Sequence, residues 1–111
     1  MYYTYMLRCE DNSIYTGITS DIKRRMEEHF SQNKKCAKYT MTHQAKKLEC
    51  VWESENRVLA SKLEFHIKKN LTKIEKEALI KNNGLLESLL GNKIETNKYN
   101  SIEITELFCV L

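Results

Sequence analysis

Tyr2-Tyr3-Thr4-Tyr5-Met6-Leu7-Arg8-Cys9, then Glu10-Asp11-Asn12-Ser13, then Ile14-Tyr15-Thr16-Gly17-Ile18-Thr19 opens the chain. The first and last of these runs are rich in aromatic and β-favouring residues, and the four between are turn formers. The stretch reads as a β-hairpin. Ser20 is placed to cap a helix that starts at Asp21, whose charge suits a helix N-terminus, and that runs to about Ser31. Residues 32–45 are polar and basic without a clear period and read as a loop. Lys47 to Glu53 partly alternates and reads as a third strand. Asn56 is a cap for a second helix, Arg57 to Asn70. Thr72 and Glu75 have capping-box spacing for a third helix, ending near Asn82-Asn83-Gly84, where glycine suits a stop. Leu85 to Leu111 reads as one short helix and a strand. The order ββαβαα gives an α/β (α+β) fold: a small three-stranded antiparallel sheet flanked by helices, with a short C-terminal extension.

The chain has 111 residues, the length of one domain, and needs neither disulfide nor metal to close a core. The expected division is residues 1–83 as the main unit and 84–111 as an extension. No run is long enough to span a membrane, and Met1 to Arg8 lacks the pattern of a signal peptide, so the cytoplasm is the expected compartment. Cys9, Cys36, Cys50 and Cys109 form no zinc-type spacing and read as reduced thiols. The net charge is +3, unevenly spread. Residues 1–83 hold 16 Lys and Arg against 11 Asp and Glu, whereas 84–111 hold 2 against 4. The basic part is the one suited to a phosphate backbone.

Helical phasing at about 100° per residue puts Ile22, Met26 and Phe30 on one apolar stripe of the first helix. Arg25 and His29, one turn apart, lie at its border, and Arg24 points away. On the second helix Leu59, Leu63, Ile67 and Leu71 form the stripe, with Glu64 at its edge. A carboxylate there is either solvated or holds something. Taken singly, each of these residues, like the tyrosines, has an ordinary structural explanation.

Together, Tyr3-Thr4-Tyr5, Tyr15-Thr16-Gly17-Ile18-Thr19, Asp21 to His29, Lys38-Tyr39-Thr40 and the helix holding Glu64-Phe65-His66-Ile67-Lys68 resemble the GIY-YIG nuclease domain. The resemblance is greatest to its compact, single-domain bacterial branch. It covers about residues 2–82. Tyr3 and Thr4 stand where the first motif has its Gly and Ile, as is common in that branch. Ile18 stands where some members carry a lysine. The asparagine that some members use after the glutamate has no secure counterpart among Asn70, Asn82 and Asn83.

The resemblance implies a metal-dependent endonuclease acting on structured or single-stranded DNA, with a role of the repair or recombination kind; RNA is a further candidate. It implies catalytic roles for Tyr5, Tyr15, Arg25, His29 and Glu64. Glu64 would hold one Mg²⁺ or Mn²⁺, ions that prefer carboxylate oxygen. Arg25 would offer its planar fork to phosphate oxygens. Tyr15, with Tyr5 as its partner, would take a proton from water, and His29 would orient a tyrosine or accept its proton. Lys34, Lys35, Lys38, Tyr39, Thr40 and Lys68 are candidates for gripping nucleic acid. The alternative is a catalytically weak binding module on the same fold. A monomer or weak homodimer without membrane contact is expected. One geometric demand follows. Tyr5 and Tyr15 share a sheet face only if paired residue numbers sum to an even value, which needs a three- or five-residue loop or a bulge.

Overall fold

The computed structural model describes residues 1–32 and 37–107. Strands β1 (Tyr2–Cys9) and β2 (Ile14–Thr19) pair antiparallel, with Tyr5 opposite Gly17 and Leu7 opposite Tyr15. This register has the even sum that a shared face requires, and a three-residue loop sets it. The Cys9 N–H donates to the Ser13 carbonyl at 2.9 Å, and the Asn12 N–H donates to the Cys9 carbonyl at 2.9 Å. Asn12 sits at φ 70°, a left-handed position that asparagine tolerates. The Asp11 carboxylate accepts from the Ser13 N–H at 3.1 Å and from its hydroxyl at 2.6 Å, closing the turn.

The sheet has four strands rather than three, in the order β2-β1-β3-β4. Strand β3 (Ala45–Ser54) carries the expected third-strand segment. Strand β4 (Asn100–Ser101) is only two polar residues, too short and too hydrophilic to show as a period-2 pattern. It is held by its flanks: the Tyr99 hydroxyl donates to the Leu59 carbonyl at 2.6 Å, and the Ile102 N–H donates to the Val51 carbonyl at 2.9 Å.

The helices are α1 (Ile22–Ser31), α2 (Lys38–Thr42), α3 (Arg57–Asn70), α4 (Lys73–Lys81), α5 (Leu86–Leu90) and α6 (Ile104–Leu107). Asp21, not Ser20, caps α1, its carboxylate accepting from the Arg24 N–H at 3.1 Å. Helix α2 lies inside the segment expected to be a loop; at five residues it is too short to display a helical period. Asn56 caps α3 through the Leu59 N–H, and Thr72 and Glu75 cap α4 reciprocally. Gly84 is not a left-handed stop. Asn82 ends α4 in extended backbone, and its side chain accepts from the Gly84 N–H, turning the chain into a 3-10 segment.

Two apolar layers sandwich the sheet. On one side Tyr5, Leu7 and Val51 pack against Ile22 and Met26 of α1. On the other, Met6, Cys50 and Trp52 pack against Leu63 and Ile67 of α3 and Leu79 of α4. Leu86, Leu90, Ile94 and Tyr99 join this second layer, so residues beyond 83 complete the same core. The Thr4 hydroxyl donates to the Ala60 carbonyl at 3.0 Å and fixes α3 on β1. Arg8 clamps α4 to the sheet by a forked bond to Glu77 and a 3.1 Å bond to Glu49. Cys9 and Cys50 are buried free thiols on strands; Cys36 and Cys109 lie outside the described residues. No helix among the described residues is long and apolar enough to cross a membrane.

Leu90 is 1% exposed. Leu90→Ala should destabilise the whole domain by about 2–5 kcal/mol. Urea unfolding should remain a single transition with a lower midpoint. A separate early transition confined to the C-terminal part would show that this part does not belong to the common core.

Candidate active site

Gly17 is small because Tyr5 lies across it. A methyl group at Gly17 would stand 2.6 Å from the Tyr5 hydroxyl and 2.9 Å from the Tyr15 ring. With hydrogen there instead, the Tyr5 ring reaches over β2 towards that edge of the sheet. Tyr15, two residues before Gly17 on the same face, sits beside it with ring centroids 6.2 Å apart. Tyr5 is fully buried and Tyr15 half-buried, so of the two only Tyr15 is open to solvent.

Helix α1 brings Arg25 and His29 to the same place. The buried arc of α1 is rotated relative to the expected stripe. His29 and Glu28 are buried with Ile22 and Met26, while Phe30 is exposed. The reason is polar. His29 has partners on both ring nitrogens and Glu28 pairs with Arg25 at 2.8 Å, so burying these groups satisfies them. Phe30 is left on the solvent side.

The hydrogen bonds run in one direction. Arg25 only donates, and it donates to the Tyr5 oxygen. The single Tyr5 proton therefore goes to His29 Nε2, 2.7 Å away. The neutral ring then carries its own proton on Nδ1 and gives it to Thr40 Oγ1 at 2.9 Å. The Thr40 hydroxyl passes its proton to the Ala37 carbonyl at 3.1 Å. This assignment follows from the network. Burial, then the nearby Arg25 charge, pushes the His29 pKa down to about 4. Burial likewise holds the Tyr5 phenol well above its ordinary range, with the Arg25 bond opposing it. Neither group changes charge near neutral pH.

Glu64 and Lys68 come from α3, in the other layer. Glu64 is half-buried, and its carboxylate is 3.4 Å from Lys68 Nζ. It lies close enough to Tyr5 to act on the phenol electrostatically. Lys68 Nζ stands 5.5 Å from the centre of the Tyr15 ring, a cation–π contact. Tyr5, Tyr15, Arg25, His29 and Glu64 thus meet in one place, and Lys68, on the same helix as Glu64, joins them.

The segment after α1 divides differently. Lys34 and Lys35 fall outside the described residues. Lys38 is exposed. Thr40, expected to grip substrate, is fully buried and serves His29. Tyr39 stacks between Tyr15, at 5.6 Å, and His43, at 4.1 Å. His43 Nδ1 in turn bonds Asp11 at 2.6 Å, tying α2 to the hairpin loop. The Ser13 hydroxyl and amide, with His43, hold the Asp11 carboxyl down to about 2. His43 and Asp11 give no spacing signal in the sequence, because each acts through a neighbour brought in by the fold, whereas Glu28 lies one helical turn from Arg25, at the spacing of a local ion pair.

Among the described residues no group of three or more His, Cys, Asp or Glu side chains is placed to hold a metal. A lone carboxylate at Glu64 does not fit zinc or an all-protein calcium cage. It does fit Mg²⁺ or Mn²⁺, which are commonly held by one or two carboxylates together with water and substrate phosphate.

The family described as the GIY-YIG catalytic domain matches residues 1–81, a span that includes every member of this cluster. UPF0213 protein FN1575 of Fusobacterium nucleatum is 43% identical over 88 residues, covering 79% of this chain and 86% of that protein. UPF0213 protein YhbQ of Salmonella arizonae is 38% identical over 91 residues, covering 82% and 88%. A UPF0213 protein of Bacillus halodurans, solved by NMR, is 36% identical, covers 76% of this chain and 87% of that one, and superposes with a TM-score of 0.48.

The His29 assignment has a thermodynamic consequence. The folded ring titrates at about 4 against an ordinary 6.5. Between those values the unfolded chain binds a proton that the folded chain does not, so stability rises with pH across that window. The contribution, about 3 kcal/mol, is present above pH ~6.5 and is lost as pH falls to ~4. Denaturant melts of wild type and His29→Gln over that range should show a steeper acid loss in wild type. Parallel curves would contradict a neutral, buried His29.

Proposed function

The chain belongs to the GIY-YIG catalytic-domain family, a nuclease family, and on that premise we propose that it is a metal-dependent endonuclease that hydrolyses phosphodiester bonds in DNA. The reading rests on one observation above all. Five side chains from both sheet layers, Tyr5, Tyr15, Arg25, His29 and Glu64, meet beside one edge of the sheet. Each is of a type that phosphodiester cleavage uses.

Glu64 would hold one Mg²⁺ or Mn²⁺, which when bound would supply positive charge to the phosphoryl group and to the leaving oxygen. Arg25, whose bond to Glu28 holds its guanidinium in place, offers its fork to phosphate oxygens. Tyr15, once its own phenol proton has passed to solvent, takes the proton from the attacking water. It is the more accessible tyrosine, and Lys68 Nζ stands 5.5 Å from the centre of its ring. Lys68 also supplies positive charge at a site where Ile18 provides none.

Tyr5 has the positioning role. Its proton is committed to His29, and its burial disfavours ionisation. His29, neutral down to about pH 4, is a poor proton acceptor and a good anchor. Its task is to hold Tyr5, which holds Arg25. The site is open at an edge of the sheet, which favours recognition of nucleic-acid structure, such as branched, flapped or single-stranded DNA, over sequence.

Wild-type protein should nick such substrates with Mg²⁺ or Mn²⁺ and lose activity in EDTA. Arg25→Ala and Glu64→Ala should each lower kcat by on the order of a hundredfold or more. Tyr15→Phe should do the same, while Tyr5→Phe should lose less. Cleavage unchanged in both Arg25→Ala and Glu64→Ala would overturn the mechanism. No cleavage of any substrate, with binding intact, would favour a binding module on the same fold.

A further inference from the structure

Beside the site, between the end of β2, the start of α1 and the start of α3, runs an open groove of about 320 Å³. Three guanidinium groups line it: Arg24 and Arg25 from α1, and Arg57 from α3. The hydroxyl-bearing Thr19 and Ser20 form part of its wall, with Glu28 as the carboxylate in it. Glu28 is paired with Arg25, so that charge is locally balanced. Among the described residues neither Arg24 nor Arg57 has an ion-pair partner, and both are exposed. The groove therefore carries a positive surplus from two arginines that reach it from different helices. Thr19 is not a free donor, since its hydroxyl already bridges the Asp21 backbone.

The groove is continuous with the proposed catalytic centre. Arg25 belongs to both. On α3, Arg57 and Glu64 are seven residues apart and so face the same side, separated along the axis by about 10 Å. At a rise of ~3.4 Å per nucleotide of one strand, that separation spans about three phosphates. We infer that this groove is a phosphate-backbone subsite, in which Arg24 and Arg57 hold the same DNA strand a few nucleotides from the bond cleaved at Glu64 and Arg25. The inference rests on the nuclease reading for the identity of the strand. The groove gives the strand a direction across the protein: it leaves the site between the first turns of α1 and α3, away from Tyr39 and His43. The planar arginine fork suits a phosphodiester with two free oxygens.

The test is a binding measurement without metal, so that no cleavage occurs. Wild type and the double variant Arg24→Gln/Arg57→Gln are titrated by fluorescence anisotropy in EDTA. The probes are a twelve-nucleotide DNA single strand and a dinucleotide with one phosphodiester. Circular dichroism first establishes that the variant folds as wild type does; the lysine-retaining pair Arg24→Lys/Arg57→Lys serves as a charge-preserving control. The double variant should bind the long strand about tenfold more weakly at low salt, with a salt slope smaller by about 1.4, the loss of two single-strand phosphate contacts. Its affinity for the dinucleotide should not change, and the lysine pair should recover most of the long-strand affinity. Equal affinity and equal slope for wild type and the glutamine pair would overturn the subsite. So would an equal loss for both probes, because the arginines would then act on the scissile phosphate alone. Metal-dependent cleavage is read separately. A wild type that does not cleave but shows the length-dependent loss sinks the nuclease reading and leaves the subsite. A wild type that cleaves without that loss does the reverse.

Discussion

A hydroxyl buried on a fully packed ring has one proton to place, and in this protein the Tyr5 proton goes to His29 Nε2 across 2.7 Å. Much of the local structure follows from satisfying that bond. Tyr5 can reach His29 only by lying across Gly17, where a single methyl group would collide with it. His29 can accept only if its other nitrogen donates, so Thr40 must be buried within reach of Nδ1, and α2 exists to put it there. His43 and Asp11 then anchor α2 to the hairpin loop. Each of these groups would be costly to bury unpaired, and no buried side-chain polar atom among the described residues lacks a partner. The network is rigid because it is fully used.

Rigidity on one layer fixes the groups that meet those of the other. Arg25 donates to a tyrosine that does not ionise and is braced by Glu28, so its guanidinium keeps one orientation. Glu64 and Lys68 approach from α3, which is fixed by the apolar contacts of Leu63 and Ile67 and by the Thr4 bond to Ala60. A carboxylate, a cation, a guanidinium and a half-exposed phenol are brought together by two layers packed on either side of one sheet. The C-terminal segment contributes to this indirectly: Leu86, Leu90 and Tyr99 back the layer that carries α3.

The features legible in the sequence were those with a local cause. Tyrosine-rich runs around Glu10 to Ser13 made the hairpin, and the need for a shared face made the odd loop, which Asn12 closes with its left-handed backbone. The Asn56 cap and the Thr72–Glu75 box marked helix starts that the structure keeps. The illegible features had distant causes. Apolar periodicity placed Phe30 inside, because it counts hydrophobic side chains and cannot know that His29 and Glu28 will find partners. Thr40 looked like part of a polar loop until His29 claimed it. Strand β4 is two polar residues long and is held by hydrogen bonds of Tyr99, Ile102 and Ser101 rather than by apolar side chains of its own.

We propose that a divalent ion binds at Glu64 among Tyr5, Tyr15 and Arg25. Paramagnetic broadening by Mn²⁺ tests it most directly. In ¹H–¹⁵N spectra of the uniformly labelled protein, substoichiometric Mn²⁺ should bleach the amides of Glu64 and its neighbours on α3, together with those around Tyr15 and Arg25, and Glu64→Gln should abolish the effect. Broadening centred elsewhere, or unchanged in Glu64→Gln, would contradict the account.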